Sequence, residues 1–206
     1  MTKSSYLLSM LSSLALLAGC GGSPAPAPAT ADTAAPSAMP SAAPSAMASA
    51  APAADMGKPV EATIEARSKS KLAGTATFTP TDDGVKIVVK VTGAKPGKLA
   101  THIHEKGDCS SPDGKSAGEH FNPDKKPHGM PDSAAHHIGD LGNMEVKADG
   151  TGTLEITAKG ANLKEGDPNS FLGRALIVHE KVDDGGQPSG NAGARIGCAV
   201  IGAAKK

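Results

Sequence analysis

Val85-Lys86-Ile87-Val88-Val89-Lys90-Val91 places Val85, Ile87, Val89 and Val91 on one face of an extended chain and Lys86 and Lys90 on the other. A period of two in β-branched residues marks a strand with one side on a core and one in water. Upstream, Val60, Ala62, Ile64 and Ala66 alternate with polar residues in the same way. Turn signals punctuate the chain at Asp82-Asp83-Gly84, at Gly93 to Gly97 with Pro96 between them, and at Asp149-Gly150. Together these predict strands over 60–66, 72–78, 85–91, 98–104, 143–148, 152–158, 174–179 and 194–201. Eight short strands with close turns make an all-β domain, a sandwich or a barrel.

One segment breaks the pattern. The 36 residues from Glu105 to Asp140 are rich in Pro, Gly, Asp and Lys and carry little periodicity. A structureless loop of that length inside a compact domain is uncommon unless it has a function. Six of the seven histidines lie between Leu99 and Leu141, in His102-Ile103-His104, His120-Phe121-Asn122-Pro123, His128-Gly129 and His136-His137-Ile138-Gly139-Asp140. The seventh, His179, ends the apolar run Leu176-Ile177-Val178. On a strand His102 and His104 share a face, so one metal can take both. His120, His128, His137 and Asp140 add imidazoles and a carboxylate, a set that suits zinc. Any one loop histidine is commonly just solvated, so the reading rests on the whole group.

The first quarter of the chain contributes nothing to this domain. An apolar run from Leu7 to Ala18 behind the lone Lys3 has the length of a secretory signal rather than a membrane span. It ends in Leu17-Ala18-Gly19-Cys20, which resembles the lipobox of bacterial lipoproteins. The resemblance implies cleavage after residue 19 and lipidation of Cys20; several acyl chains on one cysteine would anchor the protein to a membrane stably. Gly21 lacks the aspartate of inner-membrane retention, which favours the outer membrane of a bacterial periplasm. A plain signal peptide with a fortuitous cysteine is the alternative. Residues 20–57 then form a disordered tether: Ala35–Ala42 and Ala43–Ala50 are near-identical octapeptides, and seven prolines between 24 and 52 interrupt any helix. Residues 58–206 are the folded domain, of ordinary size for one core.

Charge excludes one class of partner. Lys3, Asp32 and Asp55 lie outside the domain, leaving 20 basic and 19 acidic residues in it, and the whole chain has one Tyr and no Trp. With neither a basic excess nor an aromatic platform, no nucleic-acid binding is expected.

The domain resembles copper/zinc superoxide dismutases, bacterial periplasmic members in particular. The resemblance is carried by 102–109 (HIHEKGDC), 120–123 (HFNP), 128–129, 137–143 (HIGDLGN), 178–184 (VHEKVDD) and 190–202 (GNAGARIGCAVIG), in order across nearly all of 58–206. It implies an eight-stranded Greek-key barrel or sandwich with long metal-binding loops. Copper would be held by His102, His104, His120 and His179. Zinc would be held by His120, His128, His137 and Asp140, so that His120 bridges the two metals. His136 is left over, and its adjacency to His137 keeps the choice between them open. Asp183 matches the carboxylate that orients a histidine on each side, here His102 and His128. Arg195 matches the arginine that attracts and orients a small anion beside the copper, and Cys109 and Cys198 match the family disulfide. Closing so long a loop contributes about 4 to 5 kcal/mol on the chain-entropy model.

The activity so implied is dismutation of superoxide to oxygen and hydrogen peroxide by a redox-cycling copper, with a structural zinc and with Arg195 and His120 as catalytic residues. A copper-holding or copper-delivering lipoprotein on the same fold is the competing reading; such a relative is expected to lack copper ligands. The segment between His179 and Arg195 lacks the Glu-Glu-Lys group of eukaryotic members, so Lys125, Lys126 or Lys181 is expected to take over steering of the anion. Subunit contacts differ between the two branches, and no dimer is carried over.

Overall fold

The computed structural model describes residues 57–202. The signal segment, Cys20 and most of the tether lie outside the described residues. Eight strands run in chain order: β1 (Val60–Ala66), β2 (Ala73–Thr81), β3 (Gly84–Thr92), β4 (Gly97–His104), β5 (Asp140–Val146), β6 (Gly152–Lys159), β7 (Ala175–His179) and β8 (Arg195–Val200). They close into one antiparallel barrel in the order β1-β2-β3-β6-β5-β4-β7-β8. The connections β3–β4 and β6–β7 skip neighbours, which makes the barrel a Greek key. Closure removes the exposed edges that a sandwich would leave.

The alternation builds the inside. Phe78 pairs with Ile87, and Ile87 with Ile156, while Lys86 and Glu155 point outward and form an ion pair at 2.7 Å. Ile64, Phe78, Ile87, Ile103, Met144, Leu176 and Ile201 fill the interior with almost no exposure. β4 and β7 depart from half-burial: every residue from Leu99 to His104 and from Ala175 to His179 is buried. One face of these strands is barrel core. The other is covered by the long loop, where Ala117, Ala175, Ile177 and Cys198 form a second small cluster against Cys109. Continuous burial is therefore produced by the loop rather than by a second sheet.

The loop is irregular, as its composition predicts, with a single 3-10 turn at Lys115–Ala117. Its return path is nonetheless pinned to the end of β4. His104 and His120 form an isolated antiparallel bridge, Phe121 N–H donates to Ile103 O at 2.8 Å, and Ile103 N–H donates to Gly139 O at 2.8 Å. β5 begins at Asp140, three residues before the predicted start. Gly142 (φ 77°) serves a bulge between Ala100/His102 of β4 and Asn143/Asp140 of β5, and the pairing on its far side carries the strand back to Asp140. A second register shift falls at Val178/His179, opposite Arg195. Both irregularities lie where the histidines leave the sheet, re-aiming side chains at the rim of the barrel.

Candidate metal centre

His102 and His104 stand on the loop-covered face of β4, and His179 ends β7 beside them. The bridge to His104 delivers His120 from the loop. One ring nitrogen from each of these four buried histidines lies within 4.8 Å of the others. A second group, His120, His128, His137 and Asp140, meets the same criterion, and His120 belongs to both. His136 joins neither: it is half-buried, with Nδ1 2.7 Å from the carbonyl oxygen of its neighbour His137.

The hydrogen bonds reveal which nitrogens are free. His102 Nε2 faces Asp183 Oδ2 at 2.9 Å, His104 Nδ1 faces Gly118 O at 2.9 Å, and His179 Nδ1 faces Gly193 O at 3.3 Å. Each acceptor takes the N–H of its imidazole and leaves the opposite nitrogen with a lone pair. Those opposite atoms, His102 Nδ1, His104 Nε2 and His179 Nε2, are buried and have no hydrogen-bond partner. Three orphaned lone pairs converging in a protein interior are costly unless a cation takes them. Burial also depresses the pKa values, to about 4 for His102, to about 3 for His179 and well below the usual value for His104. At neutral pH all three are uncharged and can ligate a metal.

The second group converges on one carboxylate. His120 Nδ1 and His137 Nδ1 lie 3.0 and 3.1 Å from Asp140 Oδ1, and His128 Nδ1 lies 3.0 Å from Oδ2 without being aligned as a hydrogen bond. A tetrahedron with bonds of about 2.0 to 2.1 Å has edges of about 3.3 Å, so a slight expansion of this set accommodates zinc. Burial pushes Asp140 up, but the His120 ring and the His137 amide outweigh it and hold the carboxylate at about 2. The donor sets thus fit the two metals, imidazoles alone for copper and imidazoles with a carboxylate for zinc.

Asp183 couples the groups. Its Oδ2 accepts from His102 Nε2, and its Oδ1 accepts from His128 Nε2 at 3.0 Å and from the Gly185 amide at 2.9 Å. Burial opposes ionisation, yet the two imidazoles and the amide hold Asp183 well below the carboxylate range. Two carboxamides to which sequence reasoning assigns no role keep this bridge in place. Asn143 takes the Asp183 N–H on Oδ1 at 2.7 Å and donates from Nδ2 to the Asp183 carbonyl at 2.9 Å. Gln187 does the same to the backbone of His128, at 3.1 and 2.8 Å. Nothing in their sequence spacing signals either contact.

A cleft of about 770 Å³ opens on His104, His120 and His179, with Arg195 in its wall, while His102 lies fully buried behind. Burial lowers the Arg195 pKa and Glu119 and Asp113 oppose that change; a guanidinium stays charged at neutral pH. Its Nη1 donates to Gly114 O at 3.0 Å. Lys181 lines the cleft, as does Lys115, which sequence reasoning does not single out. Lys125 and Lys126 are not among the lining residues, and Lys126 pairs with Asp124 at 3.0 Å. Cys109 and Cys198 are joined by a disulfide, tying the loop to β8 three residues beyond Arg195.

The family described as copper/zinc superoxide dismutase (SODC) matches residues 72–201. The extracellular superoxide dismutase (Cu-Zn) of Drosophila melanogaster is 42% identical over 142 residues, 65% of this chain and 77% of that protein. The superoxide dismutase-like protein YojM of Bacillus subtilis (strain 168) is 44% identical over 125 residues, 58% of this chain and 64% of that protein. A crystal structure of a SOD-like protein from Bacillus subtilis superposes with a TM-score of 0.62 at 39% identity, covering 68% of this chain and 97% of that one.

Proposed function

Because the chain belongs to the copper/zinc superoxide dismutase family, we propose that it dismutes superoxide to oxygen and hydrogen peroxide. Copper is held by His102, His104, His120 and His179, and zinc by His120, His128, His137 and Asp140. The observation that carries the reading is the pairing of a four-histidine group, in which His102 Nδ1, His104 Nε2 and His179 Nε2 are buried without a partner, with a charged Arg195 in the wall of the cleft above it.

Bound copper would supply a one-electron couple between the two superoxide anions, while zinc, which has no redox chemistry, would supply fixed charge. Arg195 attracts the anion and orients it through a charge-assisted hydrogen bond. His120 presents Nδ1 to the Asp140 side, which leaves Nε2 for the cleft side; only when that nitrogen is not ligating copper would it hold a proton and release it as peroxide forms. Asp183 fixes the proton of His102 and of His128 on Nε2, so that each ring offers Nδ1 as its lone pair. Burial of His102 and Asp183 excludes water from the wall behind the cleft.

The disulfide suits an oxidising compartment, and the fly relative is named extracellular. We place the protein outside the cytoplasm, in a bacterial periplasm, tethered through lipid on Cys20 with the outer membrane preferred. The second reading, a non-catalytic copper holder, draws support from the Bacillus relative, which is named only superoxide dismutase-like. It is disfavoured by the complete four-histidine set and by Arg195.

The test is superoxide turnover by the chain loaded with copper and zinc, beside His102→Ala loaded identically. Copper-dependent turnover that disappears in the variant supports the enzyme. Tight copper binding with no turnover above free copper overturns it in favour of the copper holder.

A further inference from the structure

The turn between β1 and β2 is built against local preference. Ser70 N–H closes it onto Arg67 O at 3.0 Å, and its central residues, Ser68 (φ 51°) and Lys69 (φ 59°), both adopt the left-handed conformation without a glycine. Such a turn ordinarily carries Asn-Gly. Backbone held in a sparsely populated region persists where the surroundings over-determine it, and here the surroundings are the wall of the cleft.

Four contacts run from this turn to Arg195 and to the loop that Arg195 leans on. Ser68 Oγ donates to the carbonyl of Arg195 at 2.9 Å. Ser68 N–H donates to Pro112 O at 2.8 Å. Arg67 donates to the carbonyl of Cys109 twice, from Nε at 2.9 Å and from Nη2 at 2.6 Å. Two further donors are used at home, on Ala66 O at 2.7 Å and on Glu65 Oε2 at 3.1 Å. Two residues beyond Pro112 lies Gly114, whose carbonyl accepts from Arg195 Nη1. A Cβ at Gly114 would stand 3.1 Å from Cβ of Arg195 and 3.8 Å from Cγ of Arg67, so the three residues pack together.

We propose that Arg67 is a positioning residue for Arg195: by forking onto the Cys109 carbonyl it fixes the 109–114 turn, and with it the carbonyl of Gly114 that aims the Arg195 guanidinium across the cleft. The assignment rests on reading that cleft as a site for a small anion. It identifies a function for a half-buried arginine 42 residues away from the carbonyl it holds. Lysine cannot replace it, because one ammonium lacks the planar fork that grips a single oxygen from two nitrogens.

The probe is azide, titrated optically against the copper band of the full chain loaded with both metals. Arg67→Lys keeps the charge and removes the fork; it weakens azide about tenfold, the worth of one charge-assisted hydrogen bond. Its copper spectrum without azide stays that of the parent. Ser68→Ala, a smaller change to the same turn, shifts azide affinity in the same direction. In an Arg195→Gln background, Arg67→Lys has no additional effect, because the two act in series. Parent-like azide binding in Arg67→Lys, or an equal loss with and without Arg195, overturns the proposal. Turnover is read separately: absence of dismutation with the azide pattern intact would reject the dismutase reading and leave the role of Arg67 standing.

Discussion

Asp183→Asn changes one oxygen to an NH2 and leaves the volume of the side chain unchanged, so packing is preserved and only the pattern of donors differs. In the parent both carboxylate oxygens accept, Oδ2 from His102 Nε2 at 2.9 Å and Oδ1 from His128 Nε2 at 3.0 Å. The amide accepts with one atom only. Whichever imidazole faces the NH2 meets donor against donor and must move its proton to Nδ1, the nitrogen that its metal requires. Loss of such a partner costs about 10- to 100-fold in metal affinity, or about 1.4 to 2.7 kcal/mol. The expected outcome is that either zinc retention through His128 or copper retention through His102 falls by that factor, while the other site changes little. Competition against a chelator, reading copper and zinc separately, measures both. Affinities for both metals within about threefold of the parent would refute the argument that Asp183 acts by fixing the tautomers.

The metal-free protein loses stability on acidification. Burial lowers His102 to about 4 and His179 to about 3, and lowers His104 as well. Between about pH 6.5 and these values the unfolded chain binds more protons than the folded one, so stability is present above that window and is lost as pH falls through it, at about 1.4 kcal/mol per pH unit for each histidine. Melting in chelator is expected to be flat above pH 7 and to fall steeply below 6.5; a flat profile down to pH 4.5 would contradict the burial argument. Thr101 shares the inward face of β4 with Leu99 and Ile103, and its hydroxyl is buried without a partner. Thr101→Val is expected to raise stability by about 1 kcal/mol, seen in denaturant midpoints, and a destabilised variant would show that the hydroxyl is satisfied. Removing the cleft charges with Lys115→Gln and Lys181→Gln together is expected to slow turnover at low ionic strength and flatten its salt dependence. An unchanged salt slope would exclude both lysines from steering.

The strands were legible because alternation is local: the burial of Val85, Ile87, Val89 and Val91 depends only on a period of two and a core on one side. The same applies to the pairing of His102 with His104. The resemblance added the sharing of His120 and the partners of Asp183, and the structure brings those residues together. Closure into a barrel, rather than two stacked sheets, was not legible, because alternation states which face is buried and not what buries it. The strand expected over 143–148 begins at Asp140 for a related reason: the bulge at Gly142 exists only where β4 pairs across it.

Residue types and spacing along the chain thus decided that this is a β-fold with a histidine-bearing loop and two kinds of ligand set. Only the tertiary structure decided which nitrogen of each imidazole is free, and that Asn143 and Gln187 clamp the backbones of Asp183 and His128. It also decided that Arg67 holds the turn behind Arg195. Each of these is a directional hydrogen bond between groups far apart in the chain, several of them to backbone carbonyls, which every residue possesses. Such a contact leaves no local pattern to read, and it exists only once the barrel has closed and brought its ends into register.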